Sequence, residues 1–178
     1  MFDFALFRAI NNIAGKWTLL DILGIFAAVY LVFAIVILIA LTSFFRRNIY
    51  IYLNSAAAAV IGYSLSQLIG IINFRPRPFV FLENVNLLIS KSPLSKSFPS
   101  DHATLAFALA TAFYIFGEKK WGTVALVMAA FVALGRVYVG VHFPFDAAAG
   151  SLLGAFSAVL VWKIGKVIKN LFYGQKSK

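Results

Sequence analysis

Five apolar runs divide the chain, at about positions 22–45, 50–72, 100–117, 121–139 and 144–168, and polar or helix-breaking residues end each one. Runs of this kind approach or exceed the roughly 20 residues that a helix needs to cross a bilayer core. The breaks fall at Arg46-Arg47-Asn48, at a long stretch over 73–99, at Glu118-Lys119-Lys120 and at the turn before Pro144. The pattern predicts an all-α, polytopic membrane bundle of about five transmembrane helices, forming a single membrane-embedded domain over 1–178. Ahead of it, Phe2, Phe4, Leu6, Phe7, Ile10 and Ile13 can share one side of a helix, with Asp3, Arg8 and two asparagines between them. That arrangement predicts an interfacial amphipathic helix within 1–19, with a frayed polar terminus as the alternative. The same polar interruptions, with no basic leader, argue against a signal peptide.

Small residues mark where helices should pack closely. The second run contains AAAAVIG, and Gly150 and Gly154 form a GxxxG pair in the last, expected to serve bundle packing rather than a dimer seam. The 73–99 stretch holds Pro76, Pro78, Pro93 and Pro99 with several serines and lysines, so it reads as a functional loop.

Composition agrees with a membrane protein: 62% of residues are hydrophobic, only 12% are charged and the mean hydropathy is +0.89. The formal net charge of +10 sits mostly at the ends of apolar runs, which explains it without nucleic acid. No zinc-knuckle, helix-turn-helix or aromatic-basic pattern accompanies it. Alternating the loops across a membrane puts Arg46, Arg47, Lys119, Lys120 and the lysines at 163, 166, 169, 176 and 178 on one side. The larger share of positive charge predicts that side to be cytoplasmic, with 169–178 as a basic cytoplasmic tail. The 73–99 loop and the 136–143 turn then face the extracytoplasmic side. The chain has no cysteine, which removes disulfides and thiol chemistry from consideration.

Three polar stretches converge on that outer face by topology: FRPRPF (74–79), FPSDH (98–102) and GRVYVGVHFPFD (135–146). Ionisable groups at membrane depth are functional candidates by default. Arg75, Arg77 and Arg136 offer planar forks suited to phosphate, although Arg75 and Arg77 could also be interfacial anchors. Ser100 and Asp101 stand where a helix begins, so either could cap it. Free amides at a helix start also hold anions, and His102 beside them could donate a proton. Pro144 sets the start of the last helix, placing His142 just ahead of it and Asp146 four residues on. Such a pair either ties the turn together or orients a nucleophilic imidazole.

RPRPF, PSDH and the R-x5-H-x3-D set of Arg136, His142 and Asp146 together resemble the signature motifs of the type 2 phosphatidic acid phosphatase superfamily. LFRAINNIAGKWTLLD, SFPSDHATLAFA and RVYVGVHFPFD resemble its bacterial undecaprenyl-diphosphatase branch, so the likeness covers most of the chain. The resemblance implies a catalytic set of His142 as nucleophile, Asp146 as its orienter and His102 as acid and then base. It implies phosphate binding by Arg77, Arg136, Ser100 and, as a second clamp, Arg75. Neither cofactor nor metal is implied, and no carboxylate cluster suggests a dinuclear site. The implied partners are membrane lipids and a polyprenyl diphosphate or another lipid phosphate. The implied reaction converts undecaprenyl diphosphate to undecaprenyl phosphate, recycling the cell-wall carrier lipid. Phosphatidylglycerol phosphate, phosphatidate or another isoprenoid diphosphate are the alternative substrates, and a non-enzymatic transporter or lipid-binding protein is the alternative class. Three positions depart from the family pattern. Gly70 stands where a lysine is expected, so either Arg75 replaces that charge or the branch works without it. Asp101 replaces a glycine and must either face an arginine or cap the helix. Gly135 replaces a serine.

Overall fold

The structure, a computed structural model, describes residues 2–173. Those residues form α1 (Phe2–Asn11), α2 (Thr18–Val29), α3 (Leu31–Phe45), α4 (Ile49–Ile72), α5 (Pro78–Phe81), α6 (Asp101–Phe116), α7 (Lys119–Tyr138) and α8 (Pro144–Tyr173), with no strand among the described residues. The α4, α7 and α8 helices are each long and apolar enough to cross a membrane. A fourth crossing is possible only if α2 and α3 are taken together, and they are bent by 55° where they meet. The single span expected over 22–45 is therefore broken at Tyr30. Both halves pack on α7, and α3 alone also meets α4 and α6.

The fifth expected span is α6, which is apolar but only 16 residues long, about 24 Å at 1.5 Å per residue. It stands at the centre, packed on α4, α7 and α8. Ala103, Ala106, Ala108, Ala110, Ala112 and Phe113 are all buried, so the helix is covered on every side. Its alanines allow close approach where lipid gives helices no hydrophobic reason to associate. The GxxxG pair of α8 uses that approach. A Cβ built on Gly154 would lie 2.3 Å from the Thr104 carbonyl oxygen, and one on Gly150 would lie 2.5 Å from that of Ser100.

The two ends of the bundle differ in chemistry. At one end Arg46, in the α3–α4 turn, pairs with Glu118, in the α6–α7 turn. At the other end α1 packs on α7 and α8 through the buried Phe7, leaving Phe2 and Ile13 exposed. Asn11 fixes the long loop there, donating to the carbonyls of Asn86 and Tyr138 and accepting from the Asn86 amide, each at 2.9 Å. Arg8 adds bonds to the carbonyls of Asn84 and Glu83. The helix of α8 continues to Tyr173, so the basic segment begins as helix, while Lys176 and Lys178 lie outside the described residues.

Gly154→Val should lower stability by about 1–3 kcal/mol, because the added carbons meet backbone that cannot move aside. Gly165→Val, with nothing within 4 Å of a built Cβ, should leave it nearly unchanged. Thermal unfolding in detergent measures both, and equal losses would contradict close α6–α8 packing.

Candidate active site

The functional residues expected from sequence gather at the α1 end of the bundle, delivered by four different segments. The 73–99 loop brings Arg75 and Arg77, the first turn of α6 brings Ser100 and His102, α7 brings Arg136 near its end, and the following turn and α8 bring His142 and Asp146. That turn reverses sharply. The amides of Val139 and Gly140 bond back to the carbonyls of Gly135 and Val137, and Gly140 takes φ +84°, a conformation that favours glycine. Pro144 begins α8, and Asp146 Oδ2 accepts from the Phe143 amide at 2.9 Å. This is the acidic half of a capping box, so one carboxylate both starts the helix and faces the site.

His142 is held from both ring nitrogens. Nδ1 lies 2.8 Å from the Ser97 carbonyl oxygen, and Nε2 lies 3.2 Å from Arg77 Nη1. A carbonyl only accepts and a guanidinium only donates. The neutral ring protonated on Nδ1, with its lone pair on Nε2, satisfies both. Burial pushes the His142 pKa well below the usual imidazole range, and the Arg136 and Arg77 cations push in the same direction.

The direct His142–Asp146 contact expected from their spacing is corrected by the geometry. Asp146 Oδ2 is 3.9 Å from His142 Nδ1, beyond hydrogen-bond reach. It accepts instead from Ser97 Oγ at 2.5 Å, and Ser97 supplies the carbonyl that His142 uses. Asp146 thus acts on the histidine through Ser97. Arg75 is likewise placed differently from a phosphate clamp. Its two Nη atoms bond Asp146 Oδ1 and Asp3 Oδ2, both at 2.7 Å, and its guanidinium lies 4.1 Å from the centre of the Phe143 ring. Asp3 also accepts from the Phe145 amide at 2.9 Å.

Arg77 and Arg136 form the opposite case. Each is 2% exposed, and neither has a carboxylate within ion-pair distance among the described residues. Arg77 donates to Ser95 Oγ and the Val141 carbonyl, both at 2.8 Å. Arg136 donates to the Ala28 carbonyl at 3.2 Å, and its Nε is buried without a partner. Ser100 occupies the α6 N-cap, yet its Oγ is also buried without a partner and does not cap. Buried cations without counter-charge are costly. Two such cations at the end of the bundle that also holds an unpartnered hydroxyl and a helix start are the kinds of donor that an anion would use. Burial lowers the Lys91 pKa, and Arg136 and Arg77 lower it further, so a third cation from the loop feels the same field.

His102 has no protein hydrogen bond among the described residues. It stands at one end of an apolar cavity of about 450 Å3 lined by Val32, Val36, Ala59, Leu105 and Leu109, between α3, α4 and α6. The departures from the family pattern also find places. Gly135 faces α2, where a built Cβ would lie 2.8 Å from the Ala28 amide nitrogen, so a serine has no room. Asp101 neither faces an arginine nor caps the helix with a side-chain bond: it pairs with Lys96 at 2.6 Å. Sequence reasoning missed Asp3, Ser97, Lys91 and Lys96. The one signal available was Asp3, an acidic residue set between the apolar positions of α1.

Residues 27–169 match a family model described as the PAP2 superfamily. Bacitracin transport permease protein BcrC of Bacillus licheniformis is 34% identical over 158 residues, covering 88% of this chain and 77% of that protein. Undecaprenyl-diphosphatase BcrC of Bacillus subtilis is 26% identical over 172 residues, covering 94% and 86%. The crystal structure of Aquifex aeolicus LpxE aligns with a TM-score of 0.74 at 28% identity, covering 92% of this chain and 96% of that one.

Because the His142 pKa is depressed, its ring should stay neutral and Nδ1-protonated as pH falls through 6.5, charging only in more acidic solution. Arg136→Gln should raise the midpoint by removing a nearby cation. Nitrogen-15 NMR of the histidine ring checks both, and a wild-type midpoint at or above 6.5 would contradict the arrangement.

Proposed function

Because this chain belongs to the PAP2 superfamily, we propose that it is a membrane lipid phosphatase that converts undecaprenyl diphosphate to undecaprenyl phosphate and phosphate. The observation that carries this reading is the pair of buried, unpaired guanidiniums beside a neutral histidine whose Nε2 bears a lone pair. The terminal phosphate would take the free donors of Arg77 and Arg136, together with Ser100 Oγ and the first amides of α6. As Arg77 Nη1 leaves His142 Nε2 for a phosphate oxygen, that nitrogen would bond to phosphorus and the bond from phosphorus to the bridging oxygen would break. His102 would give that oxygen its proton, releasing the lipid monophosphate. In the second step His102 would take a proton from water, whose oxygen displaces His142 and frees inorganic phosphate. Phosphoryl transfer needs mainly positioning and charge stabilisation, which two arginines and a helix start can supply.

Asp146 and Arg75 have supporting parts. Asp146 fixes Ser97 and the start of α8, which holds the His142 ring in its attacking tautomer. Arg75 offsets one of the two charges of Asp146 and Asp3, which lessens their opposition to the incoming anion. The choice of lipid draws on the named activity of the Bacillus subtilis relative. It also draws on the cavity ending at His102, which is mostly apolar apart from Tyr52 and Ser55 and suits a polyprenyl chain better than a soluble leaving group. The excess of positive residues at the opposite end of the bundle supports an extracytoplasmic active site.

Purified protein given undecaprenyl diphosphate, phosphatidylglycerol phosphate and phosphatidate should release phosphate fastest from the first. His142→Ala should abolish release from all three. Preference for another lipid would overturn the substrate, and phosphate release surviving in His142→Ala would overturn the nucleophile. For orientation, the cysteine-free chain allows single-cysteine labelling. A membrane-impermeant maleimide on intact cells should label Leu94→Cys, in the exposed loop, and spare Lys120→Cys; the reverse pattern would invert the topology.

A further inference from the structure

The carboxylate of Asp101 presents an electrostatic problem that the catalytic scheme leaves unsolved. It opens the first turn of α6, next to His102, at a place where an anion should be welcomed. An unneutralised carboxylate there would repel phosphate. The structure surrounds one of its oxygens with donors from two other elements. Asp101 Oδ1 accepts from Lys96 Nζ at 2.6 Å, Ser66 Oγ at 2.6 Å and Gln67 Nε2 at 3.0 Å. The ammonium of Lys96 also donates to Ser66 Oγ at 3.1 Å and to the Pro99 carbonyl at 2.9 Å. The Lys96 side chain is 11% exposed and that of Asp101 29%, so the pair is screened less than a surface one.

Gly70 makes this possible. It lies one turn beyond Ser66 on α4, and a Cβ built there would fall 1.9 Å from Lys96 Cδ and 2.7 Å from Cε. The lysine stem lies where a side chain at position 70 would begin. The family lysine missing from this position and the acid at position 101 are thus two halves of one arrangement, with Lys96 supplied from the loop.

We propose that Lys96 and Asp101 form a charge-cancelling latch, seated on Gly70, that keeps the α6 start receptive to phosphate. Both are positioning residues and neither touches the reacting atoms. The inference rests on the anion-binding reading of the site.

The test uses the full chain in detergent, with inorganic phosphate affinity, KM and kcat measured for Lys96→Met, Asp101→Asn and the double variant. Lys96→Met strands the carboxylate, so phosphate affinity should weaken and KM rise by about tenfold, with kcat little changed. Removing the stranded charge as well should restore both, so the double variant returns close to wild type. A merely structural contact would not be rescued by a second deletion. Asp101→Asn alone should bind phosphate at least as tightly as wild type, a result that remains readable if Lys96→Met does not fold. Unchanged affinity in Lys96→Met, a double variant as weak as Lys96→Met, or weaker phosphate binding in Asp101→Asn would each overturn the latch. Wild-type protein that binds phosphate but hydrolyses none of the three lipids would overturn the substrate reading instead, and the phosphate arm would still decide the latch.

Discussion

The carboxylate of Asp146 is the junction on which the site depends. One of its oxygens meets Arg75, and the other meets the Ser97 hydroxyl and the Phe143 amide. Through those bonds it joins the long loop, the turn carrying His142 and the first turn of α8, and through Arg75 and Asp3 it reaches α1. A fully buried carboxylate is tolerable only when its lone pairs are taken up, and here they are shared among segments far apart in sequence. Losing it would free several elements at once, so its effect on geometry extends well beyond the histidine nearby.

Charge is distributed unevenly across this end of the bundle. Arg75 and Lys96 are matched with carboxylates, while Arg77 and Arg136 are left without them. The two matched cations tie segments of the scaffold together, and the two unmatched ones are those that the proposed phosphate would meet. The same residue type therefore has opposite uses within a few residues of sequence. Arg75 and Arg77 differ only in which way the loop turns their side chains.

The sequence pattern made the helical bundle legible because apolar runs and polar breaks obey bilayer dimensions that do not depend on tertiary detail. It also brought His102, His142, Arg77 and Arg136 to one face by counting crossings. It could not show the bend at Tyr30, where α3 turns to meet α4 and α6 while both halves stay on α7, with no proline or glycine at the break to announce it. Nor could spacing show that Asp146 reaches His142 by way of Ser97, because the i,i+4 relation gives proximity without saying which group lies between. Ser97 acts through a backbone carbonyl as well as its hydroxyl, and a carbonyl leaves no trace in side-chain identity. Lys96 was hidden for a related reason: its partner is a vacancy at Gly70, and an absent side chain carries no signal of what fills it.

The shortness of α6 has its own consequence. A helix of about 24 Å is shorter than a hydrocarbon core about 30 Å thick, and its start meets Ser66 and Gln67, inside α4 rather than at its end. His102 therefore lies in a recess, below the level that the longer α4 and α8 reach. A phosphate held there would sit below the ends of those helices, so the headgroup of a lipid substrate would have to enter the bundle rather than rest on it.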